Sequence, residues 1–126
     1  MAAADRANNA VLQHHRDIWA AQGDPTEAAL IVAARKAGLE EEALDQRFDR
    51  IGEVPFSSER KLMSTANELP GGARVHVKGA PDELLRRCTA ILSGGKEIPL
   101  EDTRREAVAA ANREMAEGAL RVLGLA

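Results

Sequence analysis

At 126 residues, with 44% apolar but only 2% aromatic residues, the chain has the length of one domain, and aliphatic side chains must build its core. A net charge of -3 from 20 acids and 17 bases excludes recognition through a clustered basic surface, so nucleic acid is not an expected partner. Its single cysteine, Cys88, excludes an internal disulfide and predicts a reducing compartment; the longest apolar run, residues 28–34, falls far short of the ~20 needed to span a bilayer. The opening "MAAADRANNA" also lacks the cationic start and apolar stretch of a secretory leader, which predicts a soluble chain.

In chain order, residues 11–13 and 18–22 are spaced to pair around the polar "HHRD". "GDPTEAALIVAARKAGL" then predicts a helix. Asp24 suits the N-cap, Pro25 the first helical position and Glu27 the acid of a capping box. Leu30, Ile31, Ala34 and Ala37 recur at helical spacing, and Gly38 ends the run. "LEEEALDQRF" continues with a further turn or two of helix.

From "RFDRIGEVPF" the pattern turns to strand. Residues 51–57, 61–67 and 73–78 predict an antiparallel meander, with "SSER" and "PGGA" as its turns. Pro81 opens a helix with acids in its first turn, carrying Cys88 as a packed thiol near Leu84 and Leu85. "SGGK" marks a turn between Ile91 and Ile98. "EDTRREAVAAANREMAEG" predicts a long helix with Val108, Ala111 and Met115 on one face and Gly118 as its stop. "ALRVLGLA" reads as a strand running to the chain end, which suggests a domain excised from a longer protein. The whole predicts one α+β domain, residues 1–126, with a largely antiparallel, twisted sheet flanked by helices.

Catalytic motifs are missing: there is no GxxxxGK[ST], GxSxG, HExxH or CxxC. His14 and His15 are adjacent, so they cannot share a helix face as metal ligands, and they read as a solvated turn. No catalytic residue and no metal ligand set is expected.

Four short elements have a double reading. "DPTE" is a capping box, and its Thr26 and Glu27 also offer a hydroxyl and a carboxylate able to accept from a base's amine. In "FSSERK", Phe56 is either a core ring beside a solvated turn or a platform for a purine, with Lys61 across the turn as a point charge for phosphate. "VKGAP" is either an ordinary strand-to-helix connection or a site: the strand carries Lys78 to its end, and Gly79 lets a ligand approach the backbone. Arg121, a lone cation in an apolar strand, is explained by edge exposure or by a ligand.

Their order is more specific than any one of them. "GDPTEAAL", "PFSSERKLM", "VKGAPDELLRRC" and "EGALRVLGLA" together resemble the nucleotide-binding domain of P-type cation-transporting ATPases, in the calcium-pump-like branch and in bacterial form with short loops. The resemblance covers the chain from about Trp19 to Ala126. It implies that Phe56 stacks on the adenine of ATP and that Lys61 lines the same pocket. Lys78 would lie deep in that pocket with Gly79 and Ala80 beside it. Glu27 would bond near the adenine amine, and Arg121 would reach the phosphates.

Two departures stand out. Many animal members carry an arginine where this chain has Ser58, so a phosphate contact is either missing or supplied by Arg60. An upstream cysteine–asparagine signature is replaced by "NNAVL". The phosphorylated "DKTGT" aspartate, the "TGD" hinge, the "TGES" loop and membrane helices all lie outside the sequence. The resemblance therefore implies a fragment that binds ATP, with magnesium, without hydrolysing it. In a membrane-embedded parent it would sit on the cytoplasmic side and work with phosphorylation and actuator domains of the same chain. The rival reading is a non-catalytic interaction module of the same fold with a degraded pocket; a freestanding enzyme is disfavoured by the missing nucleophile–base pair.

Overall fold

A computed structural model describes residues 25–126. The expected pairing of 11–13 with 18–22, the "HHRD" turn and the Asp24 cap lie outside the described residues. The chain divides into two units, Met1–Arg47 and Phe48–Ala126.

In the first unit, helix α1 runs Pro25–Lys36, with Glu27 in its first turn and Arg35 and Lys36 in its last, matching the helix dipole at both ends. Ala28 is buried. The stop at Gly38 is a Schellman cap: Leu39 N donates to Ala34 O at 3.0 Å and Gly38 N to Arg35 O at 2.9 Å. That geometry needs the positive φ of 80° that Gly38 adopts. Helix α2, Glu41–Arg47, is exposed throughout and supplies the expected short continuation.

The second unit holds a four-stranded sheet of strands β1 (Arg50–Val54), β2 (Leu62–Leu69), β3 (Gly72–Gly79) and β6 (Gly124–Leu125), in the order β1-β2-β3-β6. Every pairing in it is antiparallel. Helix α3 (Pro81–Arg87) follows β3 directly; strands β4 (Ala90–Ser93) and β5 (Lys96–Pro99) form a separate hairpin, and helix α4 spans Asp102–Glu117. The α+β class with an antiparallel sheet is as expected. Leu62, Leu84 and Leu100 form the buried apolar set of this unit, an aliphatic core as the composition requires. Leu62 comes from the sheet, Leu84 from α3, and Leu100 from the segment entering α4.

Several boundaries differ from expectation for physical reasons. Strand β1 ends at Val54 rather than at residue 57, because Pro55 has no N–H to continue the ladder. Strand β2 begins at Leu62, since Lys61 has a φ of 57° and cannot be extended. Cys88 is not on a helix: it is the half-buried C-cap of α3, with extended backbone.

The inward face of α4 is also shifted. Arg105, Val108, Ala109 and Asn112 are its half-buried positions, whereas Ala111 and Met115 are exposed. Arg105 turns inward because its guanidinium donates to the carbonyls of Leu85 and Cys88 at the open end of α3, the latter at 2.9 Å. The "ALRVLGLA" run is a strand only at Gly124–Leu125, so Arg121 precedes the strand instead of lying in it.

Candidate functional site

The connection from β1 to β2 is a closed turn. Lys61 N donates to Ser57 O at 2.7 Å, and Arg60 N donates to Ser57 Oγ at 3.1 Å. These bonds hold Lys61 in a left-handed conformation that costs a non-glycine residue about 1–2 kcal/mol. Phe56 enters this turn with 60% of its surface exposed, so the core reading of its ring is excluded. An exposed phenyl ring on a hydrogen-bonded turn presents an unspent apolar face.

The end of β3 is joined to that turn. Lys61 O accepts from Ala80 N at 3.0 Å, so the two motifs "FSSERK" and "VKGAP" share a hydrogen bond. Gly79, opposite Leu62 in the register, makes the approach possible. A Cβ at Gly79 would lie 2.2 Å from Lys61 O and 2.9 Å from Leu62 Cα. The missing side chain therefore makes room for the protein's own backbone. Ala80 then serves as the N-cap of α3 with extended backbone and no side-chain cap, and its carbonyl accepts from Leu84 N at 3.1 Å.

Lys78 is half-buried and pairs in register with Met63 on one side and Leu125 on the other. Residues directly opposite share a sheet face, so Met63, Lys78 and Leu125 form one row across three strands. Thr65 and His76 occupy the next row of that face. The sequence reading missed Met63 and Leu125. Strand alternation alone does not reveal which β2 residue opposes Lys78; the register set by the tight turn at Pro70 and Gly71 does.

Of the expected site residues, Phe56, Lys61, Lys78, Gly79 and Ala80 are thus gathered around the turn and the end of β3. Arg121 is exposed, in the segment leading to β6, three residues before the Gly124 that pairs with Gly79. Glu27 is half-buried in the first turn of α1 and belongs to the first unit. Ser58 is exposed in the turn. Among the described residues, no group of three or more His, Cys, Asp or Glu could hold a metal ion, and no helix is long and apolar enough to cross a membrane.

The exposed ring of Phe56 and the β3 residue Lys78 thus lie on two segments joined by the bond from Ala80 N to Lys61 O. The family described as "P-type ATPase, cytoplasmic domain N" matches residues 2–126, and the chain belongs to it. Calcium-transporting ATPase 1 of Lactococcus lactis is 42% identical over 104 residues, 82% of this chain and 12% of its own length. Cation-transporting ATPase pma1 of Synechocystis is 35% identical over 120 residues, covering 94% of this chain and 13% of that protein. Human calcium-transporting ATPase type 2C member 2 is 36% identical over 123 residues, or 95% of this chain and 12% of the relative. The chain therefore spans a small part of the curated relatives it matches.

Proposed function

We propose that this chain binds ATP as the nucleotide-binding domain of a P-type cation pump. The adenine would stack on Phe56, with Lys61, Lys78, Gly79 and Ala80 around it. Arg121 would approach the phosphates. What supports this reading most directly is the hydrogen bond between Lys61 O and Ala80 N, which ties the loop of the exposed ring to the strand end carrying Lys78. The residues suit the ligand chemically: a phenyl face stacks on any purine, and ammonium groups pair with phosphate as point charges.

In the parent pump, the domain would present the γ-phosphate to an aspartate on a separate phosphorylation domain, with an actuator domain completing the cycle. Magnesium would arrive with ATP, its ligands mainly outside this chain. Phosphoryl transfer depends largely on positioning and charge stabilisation, so a binding domain separate from the acceptor is physically sufficient. The parent would be an integral membrane protein with this domain on its cytoplasmic side, and the relatives' names favour calcium as the transported ion. The fragment itself would bind ATP without hydrolysing it.

Calorimetric titration of the 126-residue chain with ATP tests the reading. Binding is expected, and Lys78→Ala should weaken it about tenfold or more, as loss of a charged contact does. Absence of any binding at millimolar ATP would sink the proposal. Unchanged affinity in folded Lys78→Ala and Phe56→Ala variants would instead favour a non-catalytic interaction module of the same fold.

A further inference from the structure

We propose that Arg60 is a positioning residue for the nucleotide site: its guanidinium holds the turn at residues 57–61 against β2 and so fixes the ring of Phe56. This rests on the ATP-binding reading above and rejects the alternative that Arg60 replaces the phosphate contact absent at Ser58. Arg60 Nη2 donates to Ser64 Oγ at 3.1 Å, and Nη1 is buried with no hydrogen-bond partner among the described residues. Ser64 follows Met63 on β2, and successive side chains point to opposite faces. The row of Met63 and Lys78 is therefore on one face, and the hydroxyl that receives Arg60 is on the other. A guanidinium anchored there is turned away from Lys78.

The backbone of Arg60 completes the device. Its N–H donates to Ser57 Oγ while its side chain reaches Ser64, so one residue fastens the turn to itself and to the strand. Lys61 keeps its left-handed backbone only while its surroundings enforce it. Releasing Arg60 loosens the turn, and Phe56 stands one residue before it.

The test compares ATP with adenosine, which has the base to stack but no phosphate, on the 126-residue chain and on the Arg60→Met and Ser64→Ala variants. Arg60→Met should weaken both ligands by the same factor, about two- to tenfold, as expected for one lost hydrogen bond. Ser64→Ala removes only the acceptor and threatens folding least; it should weaken both ligands in the same direction by less. In the absence of ligand, the amides of Arg60 and Lys61 should exchange with solvent faster in both variants.

A loss confined to ATP, with adenosine binding intact, would overturn the proposal and make Arg60 a phosphate contact. Unchanged affinities with unchanged amide exchange in folded variants would overturn it as well. A wild-type chain that bound neither ligand would instead bring down the nucleotide reading, and this proposal with it.

Discussion

The carbonyl oxygen of Lys61 stands in the direction a side chain at position 79 would have to grow, 2.2 Å from where the Cβ of any other residue would be. Gly79 thus serves the fold first: it lets the "FSSERK" turn close onto the "KGAP" strand end, and the neighbouring Ala80 N–H then caps the same carbonyl. The candidate site depends on this closure, because Phe56 and Lys78 lie on the two partners it joins. A glycine that reads in sequence as clearance for a ligand is, in the structure, clearance for a backbone.

Replacing Gly79 with alanine should therefore unsettle both stability and binding. The obstacle is a backbone atom that cannot rotate away, and φ at Gly79 is 155°, a value side chains rarely accept. A loss of roughly 3 kcal/mol or more is expected in urea unfolding. Gly124, its partner across the sheet, makes a useful contrast. A Cβ there would meet Leu84 Cδ1 at 2.8 Å, the movable end of a side chain, and Pro81 Cα at 3.2 Å. Gly124→Ala should cost less, about 1–2 kcal/mol. Equal losses for the two variants would refute the distinction.

Arg105 offers a second prediction, about the fold that carries the site. Its guanidinium serves the carbonyls of Leu85 and Cys88, acceptors left over at the end of α3. Arg105→Met preserves much of the apolar stem but strands those carbonyls, at a cost of about 1–3 kcal/mol. Thermal unfolding of the variant checks this, and a melting temperature equal to wild type would contradict it. The neighbouring Arg104, which is exposed and donates to Pro99 O at 3.4 Å, serves as the control, with little change expected.

Arg105 also explains why sequence periodicity misjudged α4. A count of apolar positions favours Val108, Ala111 and Met115, but the face turned inward includes Arg105 and Asn112. Arg105 is drawn in to satisfy backbone acceptors, and no hydrophobicity pattern registers that demand. The elements marked by glycine and proline were legible: the α1 cap at Gly38, the meander turns and the start of α3 at Pro81. The candidate site was legible as an ordered set of motifs. Its geometry was not, since the row of Met63 with Lys78 depends on register, and the left-handed Lys61 depends on bonds to residues on both sides. Arg121 was misplaced because an apolar run resembles a strand whether or not a partner exists along its whole length.

Phe56 provides the sharpest separation of folding from function. A ring with 60% of its surface exposed contributes little to stability, so Phe56→Ala should leave urea unfolding within about 0.5 kcal/mol of wild type. If the ring is the adenine platform, the same change should reduce ATP affinity by about 1–3 kcal/mol, the measured range for base–aromatic stacking. Phe56→Trp should keep most of the affinity, because an indole also offers a broad π-face, and Phe56→Leu should keep little of it. Titrations of the three variants beside their unfolding curves decide the matter. A ring that matters for stability but not for ATP would return Phe56 to the core, against its exposure; one that matters for neither would leave the nucleotide reading without its platform.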